Sequence, residues 1–121
     1  MLISEDASLS KYVIKAYSTE AININDTNYS HSLIVTPEQL ISDWRPHSFE
    51  DLTAEDLHPL VDLKVEFVLL GTGPSFKLLP VELQKQFADI LIIETMSTPA
   101  ACRSFIALSS EGRNVATALI L

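Results

Sequence analysis

A chain of 121 residues is the size of a single domain, so paired catalytic and regulatory domains are excluded. Hydrophobic residues are 47% of it and charged residues 20%, with three Gly and six Pro, a balance that excludes disordered, collagen-like and low-complexity chains. Eight Lys and Arg against sixteen Asp and Glu leave a net charge of −8, which repels phosphate backbones and anionic lipid and argues against a nucleic-acid ligand.

Residues 1–11 are expected to form a flexible tail on one domain spanning 1–121. Tyr12–Tyr17 is rich in β-branched and aromatic residues, and Ala21–Ile24 alternates apolar with polar side chains ahead of the turn-forming Asn25-Asp26-Thr27. The pattern predicts a hairpin whose return strand runs Tyr29–Val35. Thr36-Pro37-Glu38-Gln39 has capping-box spacing with Pro at the first helical position. Pro46 stops any helix begun there, however, and Ile41–Trp44 alternates as a short strand would, so both readings stand. Thr53–Leu57 reads as a short capped helix inside an acidic stretch. There Asp43, Glu50, Asp51, Glu55, Asp56, Asp62 and Glu66 meet only Arg45 and Lys64. This stretch is either a solvated face using helix-start chemistry or an acidic docking patch.

Val65–Leu70 reads as a buried strand ended by Gly71-Thr72-Gly73-Pro74, and Pro80 opens a helix in which Leu83 and Phe87 share a face. Ile90–Ile93 is a near-continuous apolar run of the kind covered on both faces of a sheet. Ser97-Thr98-Pro99 starts a helix whose Ala101, Cys102, Phe105 and Leu108 follow helical spacing; Gly112 ends it, and Val115–Leu121 is a last apolar strand. Strand, helix, strand, helix, strand predicts an α/β domain with at least partly parallel pairing.

Parallel neighbours ending at Leu70 and Glu94 would bring Gly71, Thr72 and Gly73 beside Ser97 and Thr98 at the carboxyl edge, where open α/β sheets bind ligands. The N-terminus of the following helix suits an anion. These residues, with Glu94 and Arg103, make a candidate ligand groove; the plainer reading is glycines that turn the chain and hydroxyls that cap a helix. Arg103 near a helix start needs a carboxylate, and Glu94 is the expected partner. Cys102 is either a thiol activated by the helix dipole or a small buried hydrophobe. Trp44 either anchors a partner or closes the core. His31, His47 and His58 stand apart, without ligand spacing, and are expected on the surface. No catalytic residue, metal ligand or cofactor can be named. One cysteine cannot form an internal disulfide, which fits a reducing compartment. The acidic N-terminus lacks the basic region of a signal peptide and the Arg-rich pattern of a transit peptide, and no apolar run approaches the roughly 18 residues of a membrane span. A cytoplasmic location is expected.

Three ordered motifs carry a resemblance: Leu70-Gly71-Thr72-Gly73; Glu94-Thr95-Met96-Ser97-Thr98-Pro99-Ala100-Ala101-Cys102-Arg103-Ser104-Phe105; and Glu111-Gly112-Arg113-Asn114-Val115-Ala116 with Ala118-Leu119-Ile120. Together they resemble the Mth-type domain family of unknown function, which includes the mitochondrial complex I assembly factor three and the adipogenesis-associated Mth-domain protein. The resemblance implies a three-layer α/β fold with a mixed central sheet, one strand reversed, flanking helices and an N-terminal β-hairpin layer. It further implies a protein-binding, assembly-type role, leaves a homodimer open, and marks the Gly71–Gly73 turn and the Thr98–Arg103 helix start as the functional edge. Ser97 stands where family members commonly carry Asp, and Ile106 where they carry Asn; losing that carboxylate weakens a catalytic reading and is compatible with a purely structural cap. The alternative function is a binder or enzyme for a small anionic metabolite in that groove.

Overall fold

The computed structural model describes residues 10–121; most of the expected tail, residues 1–9, lies outside the described residues. Lys11 and Tyr12 are tied down, both donating backbone N–H groups to the Pro37 carbonyl at 2.7 and 3.1 Å. The chain then builds a three-stranded antiparallel sheet from β1 (Ile14–Tyr17), β2 (Ile22–Ile24) and β3 (Thr27–Tyr29). The β2–β3 turn is Asn25-Asp26, with φ of 51° and 74°. Two successive left-handed residues are what a tight hairpin needs, and Asn and Asp tolerate them best after Gly. Asn25 also fixes the entering chain, accepting from Val13 N–H at 3.0 Å and donating to Lys11 O at 2.8 Å.

A second sheet has five strands: β4 (Leu33–Val35), β5 (Leu40–Ile41), β6 (Val68–Gly71), β7 (Ile93–Met96) and β8 (Ala116–Leu119), in the order β5-β4-β8-β6-β7. β8, β6 and β7 are parallel, while β4 is antiparallel to both its neighbours. This is the mixed sheet with one reversed strand. Between strands lie a 3-10 turn (Phe49–Asp51) and the helices α1 (Ala54–Val61), α2 (Val81–Phe87) and α3 (Thr98–Ser110).

Successive strand residues point to opposite faces, so both faces must be covered. Leu33, Val35, Leu69 and Leu119 pack against Ala101, Cys102 and Phe105 of α3 and against Ile14, Ile22 and Ile24 of the small sheet. Ile34, Val68, Leu70, Ala116 and Ala118 pack on the other face against Leu57 and Leu60 of α1, Phe87 of α2, and Trp44. The layers are thus α1 and α2, the five-stranded sheet, then α3 with the small sheet. Trp44 closes a core, its indole N–H donating to Asp56 O at 2.9 Å.

Two expectations are corrected and one open alternative is decided. The return strand Tyr29–Val35 is broken: its first residue pairs in the small sheet and Leu33–Val35 in the large one. The break is held by Ser32, whose hydroxyl accepts from Leu121 N–H and whose carbonyl accepts from Trp44 N–H, each at 3.0 Å. Thr36 starts no helix; its Oγ1 accepts from the N–H groups of Glu38 and Gln39 and its N–H donates to Gln39 O, closing a turn into β5. Ile90–Ile93 is not a buried strand. The Phe87 carbonyl, at the end of α2, takes the N–H groups of Ile90 and Leu91, so the strand begins only at Ile93. Ile90 and Ile92 are left facing solvent.

Phe105 is fully buried where α3 meets the sheet. Phe105→Ala is expected to lower unfolding free energy by about 3–5 kcal/mol in a denaturant titration; an unchanged midpoint would contradict the packing described.

Candidate functional site

The parallel register sets Gly71 opposite Met96, so the exits of β6 and β7 do converge and bring Gly71, Thr72 and Gly73 against Ser97 and Thr98. What joins them is a clasp. Thr98 is fully buried; its Oγ1 accepts from Gly73 N–H at 2.9 Å and donates to Ile120 O at 2.8 Å, while its own N–H donates to Gly73 O at 2.7 Å. One threonine thereby bonds both central parallel strands to α3. Gly71 makes the approach possible: a Cβ there would sit 2.9 Å from both Thr98 Cα and Oγ1. Thr72 is equally committed, its N–H donating to Met96 O at 2.8 Å and its hydroxyl to Ser75 O at 2.7 Å.

The first N–H groups of α3 can be counted off. That of Thr98 goes to Gly73 O, Pro99 has none, that of Ala100 goes to Ser97 Oγ at 3.3 Å, and that of Ala101 goes to Ser97 O at 2.9 Å. The donors an anion would use here are spent within the fold. Glu94 and Arg103 do not join this junction. Both are exposed, and among the described residues no acidic oxygen lies within 4 Å of the Arg103 guanidinium, so the expected pair is not formed. Glu94 belongs to an outer strand and Arg103 to the solvent side of α3, whose opposite side buries Ala101, Cys102 and Phe105. Cys102 is the buried hydrophobe, its thiol pushed up to about 12 by desolvation.

Most of the acidic stretch is paired internally. Arg45 forks onto the buried Asp56, donating Nε–H to Oδ1 at 2.8 Å and an Nη2–H to Oδ2 at 2.6 Å, and reaches Asp51 at 3.3 Å. Asp56 also accepts from the Thr53 N–H at 2.9 Å, tying the start of α1. The Arg45 hydrogen bonds hold the Asp56 carboxyl below its usual range. Glu50 pairs with Lys77 and Glu66 with Arg113. The stretch therefore spends its charge on fastening loops, and only Asp43, Glu55 and Asp62 of its acids have no such pairing among the described residues. His31, His47 and His58 are all exposed, His58 resting edge-on against Phe87 at 5.2 Å.

The feature that pattern reading missed is apolar. Phe76, Leu78, Val81, Ile90 and Ile92 are between 56% and 71% exposed. They fall in the β6–α2 connection, at the start of α2 and in the α2–β7 connection. Leu78 also lines a depression of about 300 Å³ with Leu79, Leu83, Gln84, Phe87, Ala88, Leu91, Ile93 and Thr95, a lining of mixed polar and apolar character. The depression borders β7, which ends the sheet, through Ile93 and Thr95. The signal for the patch was its excess of apolar residues in short connections, which read equally well as core. Several bulky apolar residues exposed together mark an interaction surface more often than chance.

The mixed sheet, the α3 clasp and the small second sheet define an Mth938-like domain. The chain is similar to a crystallised Bordetella parapertussis protein, with a TM-score of 0.82 and 32% identity over 90% of this chain and 94% of that one. It is similar also to a Bordetella pertussis protein with an Mth938-like domain determined in solution, with a TM-score of 0.76 and 27% identity over 90% and 85%. The chain belongs to the family described as "Protein of unknown function (DUF498/DUF598)", which matches residues 14–120. Among its relatives is the Danio rerio NADH dehydrogenase (ubiquinone) 1 alpha subcomplex assembly factor 3, 33% identical over 89% of this chain and 63% of the relative. The Homo sapiens protein of the same name is 29% identical over 98% and 65%. The chain thus spans less than two thirds of these relatives. A Francisella tularensis protein named "13 kDa major membrane protein" is 25% identical over 99% of both chains.

Thr98→Val keeps the shape of the clasp but orphans a buried N–H and a buried carbonyl; a loss of about 3 kcal/mol by chemical denaturation is expected. Near pH 8, where an exposed thiol begins to ionise, a thiol-reactive dye is expected to label Cys102 only after denaturant is added; labelling of the native protein would place the thiol elsewhere. Asp56 has its folded pKa depressed from 3.8, so its contribution is complete above that value and is lost as the pH falls through the lower folded one. Melting temperature measured against pH should fall on the acid side, and Asp56→Asn should lower the neutral plateau while flattening that limb.

Proposed function

We propose that this chain is a non-enzymatic protein-binding factor serving the assembly or biogenesis of a membrane complex, working in the cytoplasm and docking through the apolar face beside β7. The observation that carries this reading is the exposure of Phe76, Leu78, Val81, Ile90 and Ile92, bulky apolar side chains on α2 and the connections either side of it, in a fold that buries most of its other large apolar groups. Relatives named as assembly factors support the same reading. No helix among the described residues is long and apolar enough to cross a membrane. The net charge of −8 keeps the chain from non-specific attachment to nucleic acid or anionic lipid.

The rival occupant is an anionic metabolite at Gly71, Thr72, Gly73, Ser97 and Thr98, with Glu94 and Arg103 at its margin. A thermal-shift panel of phosphate, nucleotides and carboxylates separates the two. A ligand at 100 times its dissociation constant adds about 2.7 kcal/mol; a flat panel is expected because the donors at the start of α3 are engaged. For the docking face, Leu78→Glu with Ile92→Asp should melt within a few degrees of the parent, since both side chains are already exposed. Affinity purification from the native cell is expected to recover a stoichiometric partner with the parent chain and to lose it with this variant. Equal recovery by both proteins would remove the proposed face.

A further inference from the structure

We infer that the partner enters as an extended segment that adds a sixth strand to the large sheet alongside β7, with apolar residues alternating with Lys or Arg. This rests on the docking face proposed above and specifies how it is read. The backbone supplies the first observation. Val68 N–H donates to Ile92 O and Thr72 N–H to Met96 O, each at 2.8 Å, and the parallel register pairs Val68 with Ile93 and Leu70 with Thr95. In a parallel ladder alternate residues turn both backbone groups toward the neighbour. Glu94 and Met96 therefore face β6, and the N–H and C=O of Ile93 and Thr95 point outward. β7 is the last strand of its sheet, so among the described residues no strand meets these four groups. Only an extended backbone presents partners at their spacing.

The side chains supply the second observation. Ile93 and Thr95 share the α2 face of the sheet with the depression, whose walls include Leu78, Leu83 and Leu91, whereas Glu94 lies on the α3 face, in register with Leu69. An added strand would meet these two faces by turns. Its apolar residues would sit over Leu78, Leu83 and Leu91, and the residue between them would lie across from Glu94, which is exposed and without a cation within 4 Å among the described residues. Opposite charges directly across a strand pair are favourable and like charges unfavourable, which selects Lys or Arg. The same charge disfavours a second copy: each chain carries −8, and pairing β7 with β7 would bring two copies of Glu94 to one seam.

The test uses the full chain and a phage-displayed library of random peptides about ten residues long, enough for one strand with ends to spare. Enriched peptides are expected to alternate apolar with basic residues and to exclude Pro from their centres. When a synthetic copy of an enriched peptide binds, amide hydrogen exchange at Ile93 and Thr95 should slow by roughly tenfold or more, whereas Glu94 and Met96, already bonded to β6, should change little. Thr95→Pro removes one outward N–H without touching the β6 ladder, as edge strands permit; it should keep the parent melting temperature and weaken the peptide about tenfold. Glu94→Lys should weaken the same peptide, and a peptide with Glu in place of its basic residues should recover binding. If Thr95→Pro fails to fold, Glu94→Lys and the exchange pattern decide alone. A peptide that binds and responds to Leu78→Glu while Ile93 and Thr95 exchange unchanged overturns strand addition and leaves the docking face standing. No enriched peptide at all overturns strand addition, and partner recovery by the variant of the previous section then judges the face separately. Protection of Ile93 and Thr95 that rises with concentration of the chain alone, without peptide, overturns the inference in favour of self-pairing.

Discussion

The geometry of the whole domain depends on one buried hydroxyl. Thr98 is the only side chain described that bonds at once to the exit of β6, through Gly73, and to the exit of β8, through Ile120. Because α3 covers one face of the large sheet and also touches the small sheet, the placing of its first turn decides where Phe105 and Cys102 fall in the core. Gly71 and Thr98 are one device in two parts, since the helix can approach so closely only where the strand lacks a Cβ. A clasp of this kind is costly to leave half made and is therefore a strong selector of one packing over others.

The parts of this arrangement that were legible in the sequence are those governed by neighbouring residues. Ser97 as a helix cap, Pro99 in the first turn, Gly112 as a left-handed stop and the convergence of two parallel strand exits all carry local signatures. What was illegible depends on partners far along the chain. The break between β3 and β4 rests on Ser32 meeting Leu121 and Trp44, contacts that no window around Ser32 contains. The run Ile90–Ile93 shows the same limit differently: an apolar tetrapeptide says that it resists water, and only the carbonyl of Phe87 decides that part of it becomes a turn. The Glu94–Arg103 pairing failed because sequence separation cannot say which side of a helix faces a strand. The junction was thus readable as a place, and its use of every donor was not.

Charge and apolar surface divide the labour in an unexpected direction. Of the two readings of the acidic stretch, the solvated face that uses helix-start chemistry is the nearer, for Asp51, Asp56, Glu50 and Glu66 pair with Arg45, Lys77 and Arg113 and secure irregular segments. Such exposed pairs add little stability individually, but Asp56, buried and joined to the start of α1 as well, links the Trp44 loop to a helix. The large apolar side chains left exposed lie instead mostly on the connections around α2, where the fold does not bury them.

The two rims of the large sheet are built unequally. On one side β5 offers two residues, already turned back on β4 by the Thr36 loop, too short a stretch for a useful ladder. On the other, four residues of β7 stand open among the described residues. Pairing the two rims of the large sheet in two copies would join four residues to two, a ladder too short to hold. The large sheet is in this sense one-sided: an extended strand can lengthen it at the β7 rim, and the β5 rim closes it.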